Sequence, residues 1–459
     1  MRVSHASSAL SAAFDDPNLV SCAGLAPVVA LGQRCGLGEL VAAKVTLKGR
    51  GGVNADVKVP ALVAGMVAGA DCIDDMDLLR HGGMDRLFGG VRAPSTLGTF
   101  LRTFTHGHVR QLESVARTLL PRLVAHAGLL HGADVVAFVD VDDTVKATHG
   151  YAKEDVGFGY SGVRGLNALL ATASTPTAAQ VIVGTRLRRG STSSARGAAS
   201  FLAEALRAAR EAGCTGILLA RMDSAFYNHK VVAAAGAAGA YFSITARQDT
   251  SVRAAIATIP ETAWVAIRYP DAVWEEEEQR WISDAEVAET TYTAFTSKAK
   301  ARQVTARLIV RRVRRLGAKE NTGQGELFTA YRYHAVFTDS PFQMLQAESQ
   351  HRGHAVIEQT HADLRAGPLA HLPSGSFAAN AAWLTCAAIA FNLTRAAGAL
   401  ASAFHAKATT ATIRAQLITV PARLARSARR VRMHLPRHWP WEHAWTQLFH
   451  ATLGPPKPA

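Results

Sequence analysis

With 459 residues the chain is longer than one compact core accommodates, so two or three domains are expected. Its 48% hydrophobic and 19% charged residues exclude a disordered protein. The 50 Lys+Arg against 36 Asp+Glu give a net charge of +14, which suits a polyanionic partner.

Residues 1–130 show apolar positions at helical spacing, as in VPALVAGMVAGADCIDDMDLLR. Ser95 and Thr96, after Arg92-Ala93-Pro94, mark a helix start, expected in a DNA-binding domain or in an ordinary helical bundle. The N-terminus lacks an apolar run long enough for a signal peptide. From Gly132 the pattern alternates: strands are expected at Val135–Asp142, Leu166–Ala173 and Gln180–Leu187, then a helix at Ala195–Ala212. A strand at Ile217–Ala220, a short helix and a strand at Ala240–Ala246 follow. Three strands, helix, strand, helix, strand is the order of a ribonuclease H-like α/β domain. Residues 250–338 read as a β-rich insertion, so the catalytic domain is expected at 131–249 and 339–395. Phe377–Leu393 reads as a buried helix, because its apolar run, interrupted by Asn380 and Asn392, is too short to span a bilayer. Residues 396–459 form a basic segment with nine Lys/Arg and one acid, Glu442. Five scattered cysteines form no zinc-ligand spacing and read as reduced thiols. Together these features imply a cytoplasmic protein, with no membrane partner.

The acids fall in a telling order. Asp140 and Asp142 close a β-branched run, Asp223 closes an apolar run, and Glu358 lies in the helical stretch HRGHAVIEQTHADLR. Acids at two strand ends and on a helix can converge on two divalent ions about 3.5–4 Å apart, the arrangement that cuts phosphodiesters. Hard oxygen ligands with an incomplete protein shell suit Mg²⁺, with Mn²⁺ substituting. Asp140 and Asp142 share a strand face, so either could be the first ligand. On the Glu358 helix, His351, His354, His361 and Arg365 lie at positions three, four or seven residues away. A carboxylate in such a stripe fits a phosphate backbone lying along it.

The segments FVDVDDTVKATHGY, RLRRGSTSSA, LLARMDSAFY and HRGHAVIEQTHADLR resemble the motifs of DDE-type insertion-sequence transposases, in the group with a β-strand insertion before the Glu. The resemblance covers roughly residues 133–367. It implies a ribonuclease H-like core that cuts transposon ends and joins the freed 3′-OH to target DNA, using two Mg²⁺ ions. It places the first Asp at Asp142, the second at Asp223, the Glu at Glu358 and the trailing basic residue at Arg365. Many members have Tyr and Arg seven and four positions before the Glu. Here these positions are His351 and His354, with Arg352 nearby to compensate. The partners implied are double-stranded DNA, as terminal inverted repeats and as target, and a second subunit in the synaptic complex; the setting implied is the bacterial nucleoid.

Further DNA contacts are expected from the cluster Arg186, Arg188 and Arg189, from Arg311, Arg312 and Arg314 in the acid-free stretch Lys298–Lys319, and from Arg423, Arg426, Arg429, Arg430 and Arg432. Trp274 and Trp281 read as packing or base-stacking residues, and Trp439, Trp441 and Trp445 as a packing anchor. Two other readings stay open. One is an inactive transposase-derived DNA-binding protein or repressor. The other is a haloacid dehalogenase-like phosphatase, with Asp140 as nucleophile and Asp142 as acid/base.

Overall fold

The computed structural model describes residues 10–150, 152–160, 162–267, 273–275, 280–282, 285–314, 331–427 and 430–454. Ten strands make its main sheet: β1 (Val136–Ala147), β2 (Gly157–Phe158), β3 (Arg164–Ser174), β4 (Val181–Arg188), β5 (Ile217–Met222), β6 (Tyr241–Thr245), β7 (Val265–Ile267), β8 (Ala285–Ala294), β9 (Val304–Arg314) and β10 (Tyr331–Thr338). Both β2 and β4 pair with one edge of β3, and the order then runs β3-β1-β5-β6-β10-β9-β8-β7. The β1, β5 and β6 strands are parallel, whereas β3 and β10 are antiparallel to their neighbours β1 and β6. Thus the insertion strands β7–β10 prolong the same sheet.

One boundary departs from expectation in a way that matters. Asp142 is not a strand end, because β1 continues beside β3 to the Ala147–Gly165 rung. It is the parallel neighbour that stops, with Val141 opposite Met222 as the last paired rung. The sheet therefore opens a notch beside Asp142.

The helices that matter here are α1 (His106–Ala127), α2 (Ala198–Glu211), α3 (Met344–Arg352), α4 (Val356–Arg365) and α5 (Phe377–Ala401). Strand alternation puts Ala137, Val139 and Val141 into one apolar core, packed under Phe201, Leu202 and Leu206 of α2. That leaves Asp140 and Asp142 on the opposite face. A second core gathers the helices before residue 130, α5, and Leu417, Leu424 and Leu448 of the C-terminal part. Leu19–Val20 also pairs with Ala422–Ser427, which pairs with Arg430–His434. The helical N-terminal residues and the basic tail therefore lie on one core.

Helix α5 is apolar on every side because protein surrounds it. It is long and apolar enough to cross a membrane, yet 89% of its most apolar 18-residue window is buried in the fold. Its polar groups are satisfied inside: Asn392 accepts from the Ile182 amide and donates to the Ile182 carbonyl, both at 2.8 Å, and Asn380 does the same with Ser374. The Asn392 bonds tie α5 to β4 by the backbone, and the Asn380 bonds tie it to the loop that precedes it.

Candidate active site

Parallel register makes the site. Asp140 stands opposite Arg221, and Val141 opposite Met222. The next residues, Asp142 and Asp223, emerge one step beyond the last rung, on chains about 4.8 Å apart. The backbone holds both carboxylates: the Asp143 amide donates to Asp142 Oδ1 at 2.7 Å, and the Ala225 amide to Asp223 Oδ1 at 2.9 Å. Burial and then the Asp142 charge push the Asp223 carboxyl up. Burial would raise Asp142 too, but the His361 ring and the Asp143 amide outweigh it and hold Asp142 below the usual carboxylate range. Two acids in a notch, one perturbed by the charge of the other, form a site that a cation relieves.

The stretch containing Glu358 lies over this notch. His354 Nδ1 reaches Asp140 Oδ1 at 3.1 Å, and His361 Nε2 lies 3.4 Å from Asp142 Oδ2. Glu358, four residues after one and three before the other, shares that helical face and is exposed in the first turn of α4. The three acids are not drawn into one tight cluster. Among the described residues, the group with three ligand atoms within 4.8 Å of one another is Asp71, Cys72 and Asp75. There Asp75 already accepts the Asp71 and Cys72 amides. Asp142 and Asp223 are thus brought together, with Glu358 on the facing helix.

Asp140 has a different environment. It is fully buried, and Arg221 grips it with Nε on Oδ1 and Nη2 on Oδ2, both at 2.7 Å. Burial would raise its carboxyl, but the Arg221 charge and the His354 bond hold it below the usual range. Both oxygens of this buried carboxylate are committed to protein donors, which argues against Asp140 as the metal ligand. The same pairing argues against Asp140 as a phosphoryl nucleophile, and so against the phosphatase reading.

Several residues expected to meet DNA are enclosed by protein. His351 is buried, with Ser243 Oγ on Nδ1 and Thr245 Oγ1 on Nε2, each at 2.9 Å, and burial pushes its imidazole down to about 3. Arg188 is 7% exposed and bonded to Asp143, Asn167 and the Ser194 and Arg196 carbonyls. Arg312 is held by Glu286 and Glu261 and sandwiched between Trp264 and Tyr331. The expectation of a phosphate contact fails for these three, because groups from elsewhere in the fold already engage them: hydroxyls for His351, an acid, an amide and carbonyls for Arg188, acids and rings for Arg312. Arg186 bonds Glu204, Arg311 bonds Glu348, and Arg352 bonds Glu348. Arg189 is paired with Asp155 yet remains 72% exposed at its side chain. Arg365, Arg426, Arg430 and Arg432 are exposed. Arg429 and the stretch beyond Arg314 lie outside the described residues, as do the side chains of Arg314, Trp274 and Trp281. In the tail, Trp439 bonds the Gln416 carbonyl and Trp445 stacks on Phe449, as a packing anchor should.

Sequence reading missed Arg221 as the partner of Asp140. Arg221 stands two residues before Asp223, so parallel pairing with β1 was the available signal. Tyr160 is 76% exposed, and its phenol is pushed up by desolvation of the hydroxyl and then by the charges of Asp143, Asp142 and Asp223.

The sequence pattern of the family described as transposase DDE domain group 1 matches residues 3–453. No curated protein matches the chain.

Proposed function

Since the chain belongs to the DDE transposase family, we propose that Asp142, Asp223 and Glu358 are its catalytic acids and that it cuts insertion-sequence ends and joins the 3′-OH to target DNA. The observation that carries this reading is the Asp142–Asp223 pair where β5 ends, with His361, on the helix that carries Glu358, against Asp142. The strand order β4-β3-β1-β5-β6, three antiparallel strands followed by two parallel ones, supports a ribonuclease H-like core.

The donors are all carboxylate oxygens in an open notch, which fits Mg²⁺ or Mn²⁺. Bound there, two such ions would activate the attacking oxygen and stabilise charge on the leaving oxygen of the phosphodiester. Asp142 and Asp223 would hold them from the sheet and Glu358 from the helix. The residues' own contribution is alignment: backbone amides fix the two Asp carboxylates, and sheet and helix fix the distance between them. Exposed Arg365, Arg189 and the arginines of the C-terminal hairpin supply cationic surface for duplex DNA. Two subunits in the synaptic complex, each taking one end, complete the reading.

The test is nicking of a labelled duplex carrying the element's own ends, with Mg²⁺ or EDTA, in wild type, Asp142→Asn, Asp223→Asn and Glu358→Gln. Metal-dependent cuts at the end, lost in all three variants while DNA binding persists, support the proposal. Salt-sensitive binding with no cleavage, even in Mn²⁺, would replace it with the repressor reading.

A further inference from the structure

The contacts just before Glu358 form a connected dock. Arg221 donates Nη1 to the Gln350 carbonyl at 2.6 Å, at the C-terminal end of α3, while its other nitrogens hold Asp140. The guanidinium also lies over the Phe138 ring, 4.1 Å from its centroid. Gly353 lets the chain pass this closely, since a Cβ there would stand 2.8 Å from Arg221 Nη1. One residue on, His354 bonds the same Asp140 carboxylate. His351 adds its two bonds to Ser243 and Thr245 of β6. Residues 350–354 are thus fastened to β1, β5 and β6 immediately before the helix that carries Glu358.

We propose that Asp140, Arg221 and His354 are positioning residues, a buried dock that sets the Glu358 helix at its working distance from Asp142 and Asp223. This rests on the catalytic reading of those three acids and explains why a second Asp precedes Asp142 by one strand repeat. Asp140 serves the helix, and Asp142 serves the reaction. It also gives a role to His354. The ring is spent on Asp140 and does not grip a phosphate.

The ring geometry supplies the test. The contact uses Nδ1, which an Asn amide mimics, whereas a Gln amide mimics Nε2. His354→Ala and His354→Gln should slow end-nicking at saturating DNA by about tenfold or more. They should also raise the Mg²⁺ concentration needed for half-maximal rate and leave DNA affinity and its salt dependence unchanged. His354→Asn should recover most of the rate. A second readout, amide exchange across residues 356–365, should quicken in His354→Ala and return toward wild type in His354→Asn. Weaker binding with a salt slope reduced by about one would show a phosphate contact and overturn the dock. Unchanged nicking or unchanged exchange would also overturn it. If wild type does not nick at all, the catalytic reading fails, and the exchange experiment still decides whether the dock exists.

Discussion

Arg188 separates most sharply what the sequence suggests from what the fold does. It sits in the basic run RLRRGS, yet its guanidinium is buried against Asp143, whose carboxylate also takes bonds from Asn167 and Ser194. Replacing Arg188 with Met keeps much of the stem volume and leaves the Asp143 charge enclosed without its counter-ion. Breaking a buried pair on one side costs about 3–5 kcal/mol. The freed carbonyls of Ser194 and Arg196 push the loss to the upper end of that range. Asp143→Leu should cost a similar amount, and the double variant clearly less than the sum, with a coupling of about 2 kcal/mol or more. Urea unfolding followed by tryptophan fluorescence would measure this as shifts in midpoint at constant slope. DNA binding by the folded Arg188→Met protein should keep its salt dependence. A midpoint shift worth less than about 1 kcal/mol, together with weaker DNA binding and a flatter salt slope, would refute the reasoning and restore the phosphate contact.

Other outcomes follow from the same geometry. Asp223→Asn should raise the melting temperature near neutral pH. The folded state holds that proton more tightly than the unfolded chain does, so the wild-type penalty is present at high pH and vanishes below about pH 4; an advantage that grows on acidification would contradict this. His351 acts with the opposite sign. Its folded value is about 3 against about 6.5 when unfolded, so in that window the unfolded chain takes up a proton that the folded state refuses. Wild-type stability should fall with falling pH by up to about 1.4 kcal/mol per unit relative to His351→Asn, read from parallel denaturation series. Glu358→Gln, at an exposed position, should change stability by no more than about 0.5 kcal/mol while abolishing nicking.

The sheet was legible because short apolar runs, buried along most of their length, mark β1, β3, β4 and β5 whatever surrounds them. Asp142 and Asp223 could be picked out because each follows such a run. Lateral partners were not legible. Arg312 and Arg188 look free along the chain because Glu286, Glu261 and Asp143 meet them only through strand pairing and loop closure. The acid-free stretch from Lys298 to Lys319 concealed that β8 lays Glu286 directly across from Arg312 and Glu289 within reach of Arg307. The same limit left Asp140 and Asp142 undecided: alike in sequence and strand face, they differ in that Asp140 is paired opposite Arg221 whereas Asp142 lies one step past the last rung of that pairing.

The most direct measurement of the central claim is anomalous scattering from Mn²⁺ in crystals of the protein with a duplex of its element's end. The account predicts two peaks about 3.5–4 Å apart, bounded by Asp142, Asp223 and Glu358, with Asp140 still closed on Arg221. Peaks coordinated by Asp140, or no peak between Asp142 and Asp223 when DNA is bound, would contradict it.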